Sequence, residues 1–137
     1  MTATVSRPKI SNWETSNMPN LIGKTALITG ANSGLGYYTA KALAEKNAHV
    51  ILACRSLEKA NQTIKKLKAL NPSGILTPLE LDLSDLKNVV EVQSKIFDDF
   101  ENLDLLINNA GIMHPPKTLS AQGYEIQFAV NHLAHML

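Results

Sequence analysis

The sequence predicts an α/β fold, a doubly wound parallel sheet of about four strands in the order 3-2-1-4. Three observations lead there. A short apolar run, Ala26-Leu27-Ile28, is followed by a glycine-rich turn, Thr29-Gly30-Ala31-Asn32-Ser33-Gly34-Leu35-Gly36, and then by a helix-like segment, Tyr37 to Lys46. Further apolar runs alternate with segments of helical periodicity, which gives a βαβαβαβα rhythm. The apolar positions within the first two runs are consecutive rather than alternating, as suits strands covered on both faces. Helical crossovers make the strands parallel and the connections right-handed. The order then opens a crevice between strands 1 and 4, where the winding reverses.

Taken along the chain, residues 1–20 are polar, with Pro8, Pro19 and several Ser and Asn, and read as an extended lead-in. Trp13 is expected to dock on the domain, because a buried indole removes much apolar surface from water. The domain proper is 21–137. Its first strand is Lys24 to Thr29. The following helix, Gly34 to about Lys46, is expected to bury Leu35, Thr39, Ala42 and Leu43. Asn47 should end it, since Asn tolerates the left-handed cap conformation. His49 to Cys54 is the second strand. Leu57, Ala60, Ile64 and Leu67 then recur at helical spacing, with Lys59, Lys65, Lys66 and Lys68 on solvated faces, until Asn71-Pro72-Ser73-Gly74 stops the helix. Ile75 to Leu81 is the third strand, and Pro78 within it favours a sheet edge. Ser84 is placed to cap the next helix, with Asp85 in its first turn. That helix is expected to bury Leu86, Val89, Val90, Ile96, Phe97 and Phe100. Leu103 to Ile107 is the fourth strand. After a loop with Pro115 and Pro116, a last helix from near Gln122 to the end should bury Ile126, Val130 and Leu133.

Composition narrows the function classes. With 137 residues, 45% hydrophobic and 18% charged, the chain is long enough and apolar enough for one globular domain. A net charge of +1 supplies no broad basic field for nucleic acid. The single cysteine, Cys54, allows no internal disulfide and suits a reducing compartment, taken here as the cytoplasm. No apolar stretch reaches the ~18 residues of a membrane span, and residues 1–20 lack the pattern of a secretory signal. There is no repeat beyond the strand–helix rhythm.

The glycine-rich turn is the chemical centre. Strand, glycine turn and helix in that order form a phosphate cradle: Gly30 allows the tight turn, Gly34 lets backbone approach a pyrophosphate, and Gly36 lets the helix pack closely. The helix start adds free N–H groups and a positive dipole end. Arg55 closes the second strand, where such folds meet the adenosine ribose. A carboxylate there would repel a 2′-phosphate, whereas a guanidinium grips one bidentately, so Arg55 points to NADP over NAD. Asn32 and Ser33 can add hydrogen bonds nearby.

The spacing T-G-x-x-x-G-x-G, with Asn108-Asn109-Ala110-Gly111 downstream, resembles the short-chain dehydrogenase/reductase family. The stretches TGANSGLG, ACRSLEKA, LDLSDL, LLINNAGIM and VNHLAH are similar to its retinol-dehydrogenase-like branch, and the likeness runs from about Leu21 to Leu137. It implies a Rossmann-type fold, of which these four strands are part, with about three more beyond strand 4. It implies cofactor contacts at Gly30, Asn32, Ser33, Gly34, Leu35, Gly36 and Arg55, adenine contacts at Asp82 and Leu83, and a cofactor wall at Asn109, Ala110 and Gly111. Asn131 matches the Asn of the family's catalytic Asn-Ser-Tyr-Lys set, where it holds a water of the proton relay. Asn47 stands where the family usually has Gly.

The resulting expectation is an NADP-dependent oxidoreductase working between a carbonyl and an alcohol, of which this chain carries the cofactor-binding half. The alternative is a non-catalytic nucleotide-binding fragment or truncated product. The family's Ser and Tyr-x-x-x-Lys are not found beyond Asn131. Tyr37 and Lys41 have that spacing, but they lie on the helix after the phosphate turn, where i,i+4 neighbours are ordinary. His114, His132 and His135 lack accompanying acidic or thiol ligands, so no metal site is expected. The partners expected are a small carbonyl or alcohol substrate and, through an open apolar edge at strand 4, further copies of the chain.

Overall fold

The computed structural model describes residues 12–70 and 72–137. Four parallel strands, β1 (Thr25–Thr29), β2 (His49–Cys54), β3 (Ile75–Glu80) and β4 (Leu105–Ile107), form one sheet in the order β3-β2-β1-β4. β1 pairs Thr25 with His49 and Thr29 with Ala53, and its other edge sets Ala26 to Ile28 against Leu105 to Ile107. Pro78, which has no N–H to give a ladder, sits opposite Leu52 in the edge strand β3.

The consecutive apolar residues of β1 and β2 divide between two layers. Ala26, Ile28, Val50, Leu52 and Cys54 face one way, into a core closed by α1 (Gly34–Glu45) and α2 (Leu57–Lys68). Leu27, Ile51 and Ala53 face the other way, toward α3 (Leu86–Asp99) and the last helix. Ile28, Ile51 and Leu52 are wholly buried, and each such side chain contributes about 1.5–3 kcal/mol relative to exposure. The last helix is composite: α4 (Ile126–Phe128), a π-helical turn (Ala129–Leu133) and α5 (Ala134–Met136) follow without a break.

Asn47 does close α1's end with a left-handed φ of 70°, and its amide bonds Asn20. Elsewhere the structure corrects the sequence reading. α1 buries Gly36, Ala40, Leu43 and Ala44, whereas Leu35 is 79% exposed and Thr39 and Ala42 are only half-buried. The phase is set by Gly36, which has to face the turn before it. α2 leaves Leu57 exposed and buries Thr63 in addition to Ala60, Ile64 and Leu67. α3 turns Val89 and Val92 inward and leaves Val90 and Phe97 exposed. Leu86, Ile96 and Phe100 pack at that core's margin. Trp13 is 57% exposed rather than docked. The described part of the lead-in contains a 3-10 turn, Thr15–Asn17, so it is not extended throughout; residues 1–11, and Asn71 after α2, lie outside the described residues.

Boundaries move for identifiable reasons. Asp85, not Ser84, caps α3, accepting from the Lys87 N–H at 3.0 Å. The Gln122 amide, with that N–H, holds the Asp85 carboxyl below the usual carboxylate range. β4 starts at Leu105 because Asp104 is used otherwise. Its carboxylate accepts from the Thr25 N–H at 2.9 Å and the Lys24 ammonium at 2.7 Å, locking the entries of β1 and β4 together. The last helix starts at Ile126 because Gln122 bonds Asp85 and the Leu86 N–H, while Glu125 accepts from the N–H groups of Gln127 and Phe128. Within it Ala129, Val130 and Ala134 are buried, and Ile126 and Leu133 half-buried.

Candidate functional site

The carboxyl ends of β1 and β4 meet around one hydroxyl. Thr29, only 3% exposed, accepts at Oγ1 from the backbone N–H of Asn109 at 3.0 Å and of Ala110 at 2.9 Å. The Asn109 side chain returns the contact, its Nδ2 donating to the Thr29 carbonyl at 2.9 Å and more weakly to the Gly30 carbonyl. The segment after β4 is thus sewn to the start of the glycine turn. Gly30 has φ +65° and faces Ala110 so closely that a Cβ would lie 3.0 Å from its Cα and Cβ. Gly36 packs beneath the turn against the Gly30 carbonyl and the Asn109 amide. Gly34, by contrast, has φ +53° and nothing within 4 Å of where a Cβ would be, so its backbone is open to an approaching group.

Ser33 stands at the N-cap of α1 with extended backbone, but its hydroxyl makes no capping bond, which leaves it and the first N–H groups of a 12-residue helix available to an anion. Two clefts flank the turn. One of about 430 Å³ is lined by Gly30, Asn32, Arg55, Asp82, Leu83, Ala110 and Gly111 among others. The other, of about 340 Å³, is lined by Gly30, Asn32, Ser33, Leu35, Asn109, Ala110 and Gly111. A more apolar hollow, of about 380 Å³, lies elsewhere, between α3, β4 and the chain's last residues. Leu35 therefore gives its side chain to the cleft mouth and not to the core.

Arg55 is exposed at the end of β2. The ion pairs among the described residues are Lys24–Asp104 and Lys41–Glu45, so its guanidinium is unpaired there. Glu58, the nearest following carboxylate in sequence, accepts from Gln62 instead. Asp82 is engaged locally: its Oδ1 accepts from the Ser84 N–H at 2.9 Å and the Ser84 hydroxyl at 2.6 Å. That is a turn aspartate's geometry, and Asp82 and Leu83 both line the larger of the two clefts. The thiol of Cys54 is buried, and burial pushes its pKa up, which makes it an inert core group.

Asn131 lies in the π-helical turn, and its side chain clamps a loop. Its Oδ1 accepts from the Ile112 N–H, and its Nδ2 donates to the Ile112 carbonyl, both at 2.8 Å. Each of these atoms keeps one further hydrogen-bonding position, a second N–H on Nδ2 and a second lone pair on Oδ1, and the residue is exposed. Lys41 pairs with Glu45 at 2.6 Å, and Tyr37 packs at the edge of the core, away from the clefts. Sequence reasoning assigned no role to Thr29 or Ile112. Thr29 carried a signal, since it heads the T-G-x-x-x-G-x-G pattern; Ile112 carried none.

A parallel sheet with a glycine turn between its first strand and helix, unpaired donors around that turn and a cleft at the winding reversal defines a dinucleotide-binding α/β domain. Residues 24–137 match the model of the short chain dehydrogenase family, and the chain belongs to that family of NAD(P)-linked oxidoreductases, in its retinol-dehydrogenase-like branch. It is 43% identical over 115 residues to retinol dehydrogenase 13 of Homo sapiens, covering 84% of this chain and 35% of that protein. With retinol dehydrogenase 11 of Homo sapiens the identity is 37% over 137 residues, covering 100% and 43%. Among solved structures, a protein from Mycobacterium Paratuberculosis superposes with a TM-score of 0.75 at 41% identity, covering 90% of this chain and 42% of that one. A metagenomic short-chain oxidoreductase in complex with NADP does so with a TM-score of 0.71 at 27% identity, covering 84% and 52%. The chain thus spans between about a third and somewhat under half of the length of these curated relatives.

Proposed function

We propose that this chain carries the cofactor half of an NADP(H)-dependent oxidoreductase that interconverts a small carbonyl compound and an alcohol. The observation that carries the reading is the guanidinium of Arg55, unpaired among the described residues, beside a glycine turn with donors open to an anion. The fit to a dinucleotide is supported by the open, left-handed backbone of Gly34, the uncapped start of α1 and the small residues Ala110 and Gly111 on the facing wall. When bound, NADPH supplies the hydride. The chain's own residues bind and orient it: α1's first turn and Ser33 hold the pyrophosphate, Arg55 the 2′-phosphate, Asp82 and Leu83 the adenine side, and Asn109, Ala110 and Gly111 the ribose side. Asn131 contributes to the proton path by holding a water. The compartment proposed is the cytoplasm, on the lone thiol of Cys54; no helix among the described residues is long and apolar enough to cross a membrane.

A second reading, a nucleotide-binding module without turnover of its own, is favoured by one observation. No tyrosine with a lysine four residues on stands at the clefts; Tyr37 is on α1 with Lys41 paired to Glu45. Purified chain titrated with NADPH and NADH tests the cofactor reading, with tighter binding of NADPH expected. Equal affinities would remove the role given to Arg55. Steady NADPH oxidation with a panel of aldehydes and ketones would decide against the second reading. Loss of that turnover in Tyr37→Phe or Tyr124→Phe would identify the tyrosine responsible.

A further inference from the structure

His135 sits two residues from the end of the chain, yet its ring reaches the centre of the site. Its Nε2 lies 2.9 Å from Thr29 Oγ1, and its Nδ1 lies 3.4 Å from the Asn131 carbonyl oxygen. A hydroxyl has one proton to donate and two lone pairs to accept with. Both lone pairs of Thr29 are taken, by the N–H groups of Asn109 and Ala110. The remaining contact must therefore be the Thr29 O–H donating to Nε2, which has to be the bare nitrogen. The ring's proton is then on Nδ1, and it points at the Asn131 carbonyl.

We propose that His135 is a positioning residue, held in the Nδ1–H tautomer by the Thr29 hydroxyl, which ties the carbonyl of Asn131 to the end of β1. One chain of hydrogen bonds then joins the segment after β4, the strand that feeds the glycine turn and the π-helical turn carrying Asn131. The imidazole takes one of the two lone pairs of the Asn131 carbonyl, in a direction the ring defines. The role matters for chemistry only if Asn131 serves a proton path, and in that it rests on the oxidoreductase reading. The tautomer and the tether do not depend on it.

The test uses the 137-residue chain labelled with 15N. Long-range nitrogen–proton correlation spectra should show His135 with a protonated Nδ1 and a bare Nε2. Thr29→Ser keeps the hydroxyl and should keep that pattern, whereas Thr29→Val should lose it. A tether also orders the Asn131–Ile112 clamp, so the Ile112 amide should exchange about tenfold faster in His135→Leu, the size of one lost hydrogen bond. His135→Gln, whose amide can both accept from Thr29 and donate to Asn131, should restore the protection. A protonated Nε2 in the wild-type chain, or Leu protecting Ile112 as well as Gln does, would overturn the proposal. Failure of NADPH to bind would sink the cofactor reading alone, because the spectra of the free chain still decide the tautomer.

Discussion

A Cβ on Gly36 would lie 2.5 Å from the carbonyl oxygen of Gly30 and 2.6 Å from the Asn109 amide nitrogen. Neither neighbour can retreat: the first is backbone, and the second is bonded to the Thr29 carbonyl. Gly36→Ala should therefore destabilise the chain by roughly 1–3 kcal/mol, the usual cost of overpacking. Gly34→Asn should cost less, because the site is open and Asn tolerates positive φ. Thermal or urea midpoints of the two variants check this; an equal or larger loss at Gly34 would show that packing beneath the turn is not the constraint.

Thr29→Val keeps the shape of a buried side chain and strips the Ala110 N–H of its acceptor, while the Asn109 N–H keeps the Ile107 carbonyl at 3.0 Å. An orphaned buried donor costs about 1–3 kcal/mol, so Val should lose clearly more stability than Ser, which retains the hydroxyl. Urea unfolding of both variants is the measurement. Equal midpoints would mean that water replaces Thr29 Oγ1.

Arg55→Asp should weaken NADPH binding by about ten- to a hundredfold, the worth of a charge-assisted hydrogen bond to phosphate. NADH binding should change little or improve, since an acid at the end of β2 can accept from a ribose hydroxyl. Dissociation constants for both nucleotides read it, and equal losses would remove the 2′-phosphate from Arg55.

His49 gives the stability an acid limb. Its ring is partly buried, with Nε2 2.8 Å from the Thr77 hydroxyl and Phe100 across its edge, and burial holds its pKa below the ordinary 6.5. In the unfolded chain it takes a proton at its ordinary value. As pH falls through about 6.5 the unfolded state therefore binds the proton first, and stability declines toward the lower folded value. Urea midpoints from pH 8 to 5 should fall, and His49→Gln should flatten that part of the profile.

The outer edge of β4 is apolar and, among the described residues, unpaired, with Leu106 58% exposed and Leu103 and Leu105 beside it. Such an edge invites pairing with another copy. Size-exclusion chromatography should show association, and Leu106→Lys should reduce it. A monodisperse wild-type monomer would count against this.

Local signals made most of the architecture legible. Glycine spacing after an apolar run marks the turn, because φ values of +65° and +53° are open to few other residues. Pro78 marked the sheet edge for want of an N–H. The helix faces were less legible. α1 and α3 each carry more apolar residues than one stripe can bury. Which of Leu35 or Ala40, and which of Val89 or Val90, turned inward depended on what each helix packed against.

By itself the sequence determined the parallel four-stranded order, the glycine turn and the basic residue at the end of β2, since each is written in neighbouring residues or a short repeat of them. Only the tertiary structure decided that Thr29 would be the hydroxyl at the centre, that Asn131 would clamp Ile112, and that His135 would touch both Thr29 and Asn131. Those groups stand 80 and 106 residues apart along the chain in the first and last of these contacts. Hydrogen-bond partners at such separations are chosen by where the folded strands end, and no spacing in the sequence encodes them.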